Sequence, residues 1–193
     1  MKKIAIFLSG RGSNMKAIVE QCQNGILCGI AEPVLVFSDH SDAAGLKYAE
    51  DQGIATDSLE SKGMKRADYD RLVLEILAAY SPDYIVLAGY MRILSPVLVN
   101  AYPKRIINIH PADTRQHQGL HGYEWAWDNK LTETKITVHF VDEGLDTGSI
   151  IAQEIVDLRG ANTLEEVEAR GLAVEHRLYS KVLLFVINQN QPL

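Results

Sequence analysis

The alternation of short apolar runs with helical patterns is the feature that most constrains the fold of this chain. Five apolar runs occur, at residues 4–8, 33–37, 54–56, 83–91 and 105–111. The segments between them carry apolar residues at helical spacing, with residues that cap or end helices at their borders. Apolar strands that alternate with helices are typical of a parallel sheet with helices on both faces.

The last third of the chain follows a different pattern. Residues 134–142 and 148–158 alternate between apolar and polar side chains, which predicts two half-buried strands joined by a glycine-containing loop. Thr163 and Glu166 form a capping box that opens a final helix. We therefore predict one α/β domain over residues 1–193. Its sheet would be Rossmann-like and mostly parallel, with helices on both faces and an antiparallel addition of strands near the C terminus.

Charge and cysteine content disfavour several classes of partner and site. The chain of 193 residues has a net charge of −6 and a pI near 5.5, so nucleic acid and anionic membranes would repel it. Its apolar runs are far shorter than the roughly 20 residues that span a bilayer, and its start fits a first strand better than a signal segment. Cys22 and Cys28 are too few for a disulfide framework, which favours a reducing cytoplasm.

A glycine-containing turn follows the first predicted strand, at the sheet edge where ligands of such folds bind. This segment, Ser9–Asn14, reads SGRGSN and precedes a helix. Gly10 and Gly12 let the backbone turn sharply, and the N–H groups of a helix start attract anions, above all phosphate. Ser13 and Asn14 can add side-chain donors. The alternative is a plain glycine turn in which Ser13 only caps the helix.

Two polar residues lie at the end of the fifth predicted strand. Asn108 and His110 are two positions apart, so both side chains point to the same face. The Asn amide can stabilise a developing oxyanion, and His can transfer protons near neutral pH. The alternative is a hydrogen-bonded polar pair beneath a loop.

Other candidate residues follow the fourth strand and the sixth. Asp146 lies in a tight loop between Gly144 and Gly148, where it could orient a histidine or simply bond its own backbone. Arg92 could contact an anion at the sheet edge or remain a surface charge. Its apolar neighbours could line a slot or pack into the core: Met91, Ile93 and Leu94.

Three further histidines and one glutamate have less specific patterns. His117 and His121 have the spacing of helical metal ligands, but Gly119 between them disfavours a regular helix, so we predict no metal site. His139 lies in an alternating strand and is predicted to be structural or a cross-strand polar partner. Glu175 is predicted to be solvated unless the final helix borders the glycine turn.

Several longer stretches together resemble one family. They are SGRGSN at 9–14, LAGYMRILSP at 87–96, INIHP at 107–111, TVHFVDEGLDTGSII at 137–151 and the EH pair at 175–176. Their order and spacing are similar to those of the folate-dependent formyltransferases, and the resemblance covers nearly the whole chain. The members most similar to it formylate glycinamide ribonucleotide in purine synthesis.

The resemblance implies a reaction and its catalytic residues. A formyl group would pass from the co-substrate 10-formyltetrahydrofolate to the amine of glycinamide ribonucleotide. Asn108 and protonated His110 would stabilise the oxyanion of the tetrahedral intermediate. Asp146 would support the cationic His110 and help route protons from the amine to the leaving folate nitrogen.

The resemblance also implies the binding residues. Contacts to the phosphate and ribose of the acceptor would come from Gly12, Ser13, Asn14 and Glu175. Contacts to the folate would come from Arg66, Met91, Arg92, Ile93, Leu94 and Asn108. The family requires no metal, and its partners are small molecules rather than nucleic acid or membrane. The chain would act in the cytoplasm as a monomer or a homodimer.

Two departures from the family pattern concern the acceptor side. Residues 112–119 read ADTRQHQG, where the family has an apolar, proline-containing loop, and Leu172 replaces a cationic or amide residue. Alternatives to the expected acceptor are therefore another phosphorylated amine or amino sugar nucleotide, or water in a hydrolysis. The acidic charge disfavours formylation of methionyl-tRNA. The presence of Asn108, His110 and Asp146 together disfavours a non-catalytic binding module.

Overall fold

A computed structural model describes residues 1–189 as an α/β structure built on a seven-stranded sheet. The strands are β1 Lys2–Leu8, β2 Ala31–Ser38, β3 Thr56–Ser58, β4 Tyr84–Leu87, β5 Ile106–His110, β6 Glu133–Phe140 and β7 Ile150–Asp157. The helices are α1 Ser13–Asn24, α2 Ala44–Asp51, α3 Arg66–Tyr80, α4 Pro96–Ala101, α5 Gly122–Asp128 and α6 Leu164–Gln189. Within this part of the chain, no helix combines the length and apolar character needed to cross a membrane. The last four residues of the predicted domain lie outside the described residues.

The strand order in the sheet is β3-β2-β1-β4-β5-β6-β7. All pairs among β1 to β5 are parallel, whereas β6 pairs antiparallel with both β5 and β7. This arrangement confirms the predicted mostly parallel sheet and its antiparallel addition. The chain runs outward from β1 in both directions, so β1 and β4 flank a switch point at which α/β sheets bind ligands beyond their carboxyl ends.

The strands predicted at 83–91 and 54–56 differ from the structure for identifiable reasons. The strand predicted at 83–91 is shorter because the chain turns at Gly89, which has a φ of 79° and whose carbonyl accepts a hydrogen bond of 3.0 Å from the Ser9 amide. The strand predicted at 54–56 begins later because the Ile54 amide still closes the last turn of α2. Because the chain turns at Gly89, the residues after β4 leave the sheet and form one wall of a cleft.

The core consists of two apolar layers, one on each side of the sheet. Alternate residues of β1 enter different layers: Ile4, Ile6 and Leu8 face one, and Ala5 and Phe7 face the other. The first layer is completed by α1, α2 and α6, and the second by α3 and α4. Helices therefore cover both faces, as the sequence predicts.

Tyr179 joins α6 to the two strands that lead into the cleft. Its side chain is fully buried, and its hydroxyl lies 2.9 Å from the Leu87 carbonyl oxygen and 2.8 Å from that of Ile107. Burial raises the pKa of Tyr179 well above its ordinary value, so the hydroxyl keeps its proton and acts as a donor. This contact fixes the position of α6 against the ends of β4 and β5.

We expect Tyr179→Phe to lower the free energy of unfolding by about 1–3 kcal/mol, because the two buried carbonyls lose their shared donor. Urea unfolding followed by tryptophan fluorescence measures the loss. Tyr48→Phe, at a partly exposed position on α2, serves as the matched control and should change little. An unfolding free energy for Tyr179→Phe equal to that of the control would contradict the assigned contact.

Candidate active site

A cleft of about 470 Å³ opens at the carboxyl ends of β1, β4 and β5. Its walls come from the loops that follow these strands, from the loop between β6 and β7, and from one face of α6. The predicted ligand-binding segments of the first half of the chain therefore meet the loop of Asp146 in one space. A cavity of this size is typical of sites for small organic molecules.

Strand β5 places Asn108 and His110 on the wall of this cleft, side by side on one face. The Asn108 amide donates a hydrogen bond of 3.3 Å to Asp146 Oδ1. Nδ1 of His110 lies 3.4 Å from Asp146 Oδ2, and both of these side chains are almost fully buried. The structure thus brings together the three residues that the sequence predicts to be catalytic.

Asp146 is held in place by its backbone as well as by its neighbours. Its φ of 52° is in the left-handed region, which a non-glycine residue adopts at a cost. Gly148 permits the tight loop, because a Cβ there would lie 1.7 Å from the Phe140 carbonyl oxygen. The Gly119 amide donates a hydrogen bond of 2.8 Å to Asp146 Oδ2. The carboxylate therefore has a fixed orientation toward β5.

His139 is a further member of this cluster. The register pairs it with Asn108 across β5 and β6, as expected for a cross-strand polar partner. Its Nε2 lies 3.3 Å from Asn108 Nδ2 and 3.4 Å from Asp146 Oδ1, whereas its Nδ1 lies 2.8 Å from the Phe140 carbonyl oxygen. The contact with Asp146 was not predicted. In the sequence, the only indication of this contact is the period-two pattern of β6. That pattern places His139 on the strand face that lies next to Asn108 and His110.

The cluster shifts the pKa values of Asp146 and His110. Burial raises the pKa of Asp146, but hydrogen bonds from His139 and the Gly119 amide outweigh it, so this pKa lies below its ordinary value. Burial lowers the pKa of His110, against the opposing effects of the Asp146 carboxylate and the His117 carbonyl. Asp146 is therefore ionised and His110 is mainly neutral near pH 7.

Residues at the other end of the cleft surround the start of α1. Gly12 adopts a φ of 71° before the helix, and Asn14 and Glu175 both line the cleft. Glu175 is buried, and it accepts hydrogen bonds from the Asn14 amide and from the Tyr123 hydroxyl. The final helix therefore borders the glycine turn. The sequence predicts that Glu175 is solvated unless this is the case, so its burial agrees with that condition.

Tyr123 is a cleft residue that sequence reasoning missed. Its ring packs on Gly171 of α6, where a Cβ would lie 2.1 Å from the ring. Burial raises the pKa of Tyr123, so its hydroxyl remains a donor to Glu175. Burial also raises the pKa of Glu175, although the bonds from Tyr123 and Asn14 oppose this rise. The pairing joins α5 to α6 and depends on residues 52 positions apart, so local patterns carry no signal for it.

The residues predicted for the folate side lie mostly after β4. Met91, Arg92, Ile93 and Leu94 all line the cleft; Met91 and Ile93 are exposed there, and Leu94 is buried. The Arg92 guanidinium lies 4.0 Å above the centre of the Tyr69 ring, a cation–π contact that fixes its direction. Arg66 is the exposed first residue of α3 and is not among the residues that line this cleft.

The two histidines with metal-ligand spacing have other contacts. Nε2 of His117 lies 2.9 Å from the Leu120 carbonyl oxygen, and Nδ1 of His121 lies 2.9 Å from Glu124 Oε1. Within residues 1–189, the side chains of His, Cys, Asp and Glu do not form a group of three or more that could hold a metal ion.

The chain is similar to formyl transferases in sequence and in structure. The sequence pattern of the formyl transferase family matches residues 2–183. The phosphoribosylglycinamide formyltransferase of Escherichia coli (strain K12) is 38% identical over 181 residues, which cover 93% of this chain and 84% of that protein. The protein of the same name from Bacillus subtilis (strain 168) is 36% identical, with 98% and 97% covered. The crystal structure of a phosphoribosylglycinamide formyltransferase from Bacillus halodurans matches with a TM-score of 0.93 at 38% identity, and the match covers 100% of this chain and 98% of that one. The chain therefore belongs to the formyl transferase family.

Proposed function

We propose that the protein transfers a formyl group from 10-formyltetrahydrofolate to the amine of glycinamide ribonucleotide. The observation that carries this proposal is that Asn108 and His110 both contact the Asp146 carboxylate in one cleft, at 3.3 Å and 3.4 Å. A glycine turn at a helix start lies at one end of that cleft, and exposed apolar side chains lie at the other. The names of the similar proteins describe formyl transfer to this acceptor. The domain would span residues 1–193 and act in the cytoplasm on small molecules.

The apolar end of the cleft fits the pterin part of a formyl folate. Met91, Ile93 and Leu145 are large apolar residues that are exposed there, which leaves apolar surface available to a flat ring. The Met91 amide is held by a hydrogen bond of 2.9 Å to Ser9 Oγ, so this wall is fixed to the loop after β1. The volume of about 470 Å³ lies within the range of sites for such ligands.

The opposite end suits a phosphorylated acceptor. The first N–H groups of α1 and the helix dipole favour an anion beside Ser13. Glu175 lies close by and can accept hydrogen bonds from ribose hydroxyls. Oδ1 of Asn14 is buried and has no hydrogen-bond partner within residues 1–189, so it is available to a donor on the ligand. Together these groups support the proposal that the phosphate and the ribose bind at this end.

One proton has to move during the transfer, because the acceptor amine loses a hydrogen and the folate nitrogen gains one. Burial lowers the pKa of His110, so the starting form is neutral His110 rather than the protonated form that the resemblance implies. Neutral His110 takes this proton at Nδ1, the ring nitrogen beside Asp146. The resulting cation is stabilised by Asp146 Oδ2 at 3.4 Å and by the His117 carbonyl oxygen at 3.0 Å. His110 then passes the proton to the folate nitrogen as the bond between that nitrogen and the formyl carbon breaks.

Asn108 stabilises the charge on the formyl oxygen. Its Nδ2 donates one hydrogen bond of 3.3 Å to Asp146 Oδ1, which orients the amide plane. The second N–H of the same group remains for the oxygen that gains negative charge during attack. A donor aimed in advance at this atom contributes about 2.7–4 kcal/mol to transition-state binding in comparable sites.

We expect His110→Ala to lower kcat with glycinamide ribonucleotide by about 10²–10⁴-fold, because proton transfer then lacks its base. Release of tetrahydrofolate with and without the amine measures both transfer and hydrolysis. His40→Ala, at an exposed histidine after β2, is the matched control and should retain normal turnover. Near-normal rates in a folded His110→Ala protein would exclude the assigned role. Release that is independent of the amine would instead identify a hydrolase.

The titration of His110 gives a separate test. We expect a pKa below its ordinary value of 6.5 in the wild-type protein, because burial disfavours the cation. Asp146→Asn removes a carboxylate that raises this pKa, so the titration should move to still lower pH. Histidine NMR signals followed against pH measure both values. A pKa for His110 above 6.5, or one that rises in Asp146→Asn, would be inconsistent with this electrostatic account.

A further inference from the structure

The segment that departs most from the family pattern, residues 112–118, is pinned to the antiparallel strands by one buried carboxylate. Asp113 is 5% exposed. Its Oδ2 accepts a hydrogen bond of 2.8 Å from Lys135 Nζ, and its Oδ1 accepts one of 3.1 Å from Gln153 Nε2. The backbone amide of Arg115 donates a third bond, also of 3.1 Å, to Oδ1. The polar residues of this segment thus form a specific anchor in place of apolar packing.

The anchor extends along one face of the sheet. Thr137 lies two positions after Lys135 on β6 and directly opposite Gln153 on β7. Its hydroxyl donates 2.7 Å to the Ala112 carbonyl and accepts 2.8 Å from Gln153 Nε2. Ala112, Asp113 and Thr137 are all buried. Hydrogen bonds satisfied inside a low-dielectric region are strong and hold a unique geometry.

Asp113 also holds His117 through its backbone. Its carbonyl accepts hydrogen bonds of 2.8 Å from the Gln116 amide and 3.0 Å from the His117 amide, so the segment turns back on itself. The imidazole of His117 stacks on Trp125 with ring centres 5.0 Å apart and planes 14° apart. The turn and the stacking place the carbonyl oxygen of His117 3.0 Å from Nε2 of His110.

This carbonyl decides which nitrogen of His110 carries the proton. A carbonyl oxygen only accepts a hydrogen bond. The Asp146 carboxylate beside Nδ1 also only accepts, but its distance of 3.4 Å is a charge contact, whereas the contact of 3.0 Å between Nε2 and the His117 carbonyl is a hydrogen bond. Nε2 of neutral His110 is therefore the protonated nitrogen. Nδ1 is then the free base beside Asp146, which is the atom that takes the substrate proton in the proposed function. Without the carbonyl, the Asp146 carboxylate would favour the opposite tautomer, with the proton on Nδ1 and no base there.

We propose that Asp113 is a positioning residue for formyl transfer: by pinning segment 112–118, it holds the His117 carbonyl on Nε2 of His110 and keeps Nδ1 available as the base. The inference rests on the proposed role of His110. Asp113 itself is not among the residues that line the cleft, so it acts through His117 rather than on a substrate.

The ¹H–¹⁵N spectrum of the imidazole groups tests the geometry without turnover. In the wild-type protein we expect a slowly exchanging Nε2–H signal of His110, assigned by its loss in His110→Ala. In Asp113→Ala and Asp113→Asn this signal should disappear, and the ¹⁵N shifts should indicate the Nδ1–H tautomer or a mixture. Lys135→Met removes the ammonium group that donates to Asp113. Because the Lys135 side chain is half-exposed, this variant is milder, and we expect it to lose the same Nε2–H signal.

Kinetics supply the second readout. We expect kcat of Asp113→Ala to fall about 10- to 100-fold, as displacement of a catalytic group by a remote change does, while the KM for each substrate changes little. Asp157→Asn is the matched control, since its carboxylate is exposed and bonds Arg159 at the end of β7. Retention of the wild-type His110 signal and kcat in folded Asp113→Ala would overturn the proposal. An Asp113→Ala protein that is less stable but keeps the wild-type His110 signal would also overturn it. If the wild-type protein fails to formylate glycinamide ribonucleotide, the proposed function fails, and the imidazole spectrum still decides the role of Asp113.

Discussion

The active-site geometry depends on the contacts of the Asp146 carboxylate, because each of its two oxygens contacts groups from different elements of the fold. Oδ1 is contacted by Asn108 and His139, and Oδ2 by His110 and the Gly119 amide. A buried charge is costly unless several donors surround it. Hydrogen bonds from Asn108, His139 and the Gly119 amide hold the carboxylate ionised, and the carboxylate in turn fixes two strands and two loops around one point.

The sheet explains why these groups can meet. Strand β5 has a parallel neighbour on one side and the antiparallel β6 on the other, so its end is reached both by the loop after β4 and by side chains of β6. The glycine turn after β1 lies at the same edge. In the proposed reaction, the formyl donor and the acceptor would therefore lie next to His110. The segment 112–118 adds the last contact, because its anchor places a carbonyl on His110.

The sequence predicts the parts of this arrangement that depend on local spacing. Period-two alternation places Asn108 and His110 on one face, and glycines around Asp146 predict a tight loop. It does not predict partners that lie far apart in the chain. Lys135 and Gln153 are 22 and 40 residues from Asp113, so residues 112–118 look merely polar in the sequence, whereas in the structure they form an anchor. Segment ends are also uncertain where a glycine redirects the chain, as happens after β4.

The most direct test of the central claim is to follow the transferred carbon itself. The protein would be supplied with 10-formyltetrahydrofolate labelled with ¹³C in the formyl group, together with glycinamide ribonucleotide, and the products examined by NMR. The account predicts that the label appears on the amine nitrogen of the acceptor at the rate at which tetrahydrofolate is released. Label recovered as free formate, or left on the folate in the presence of this acceptor, would contradict it.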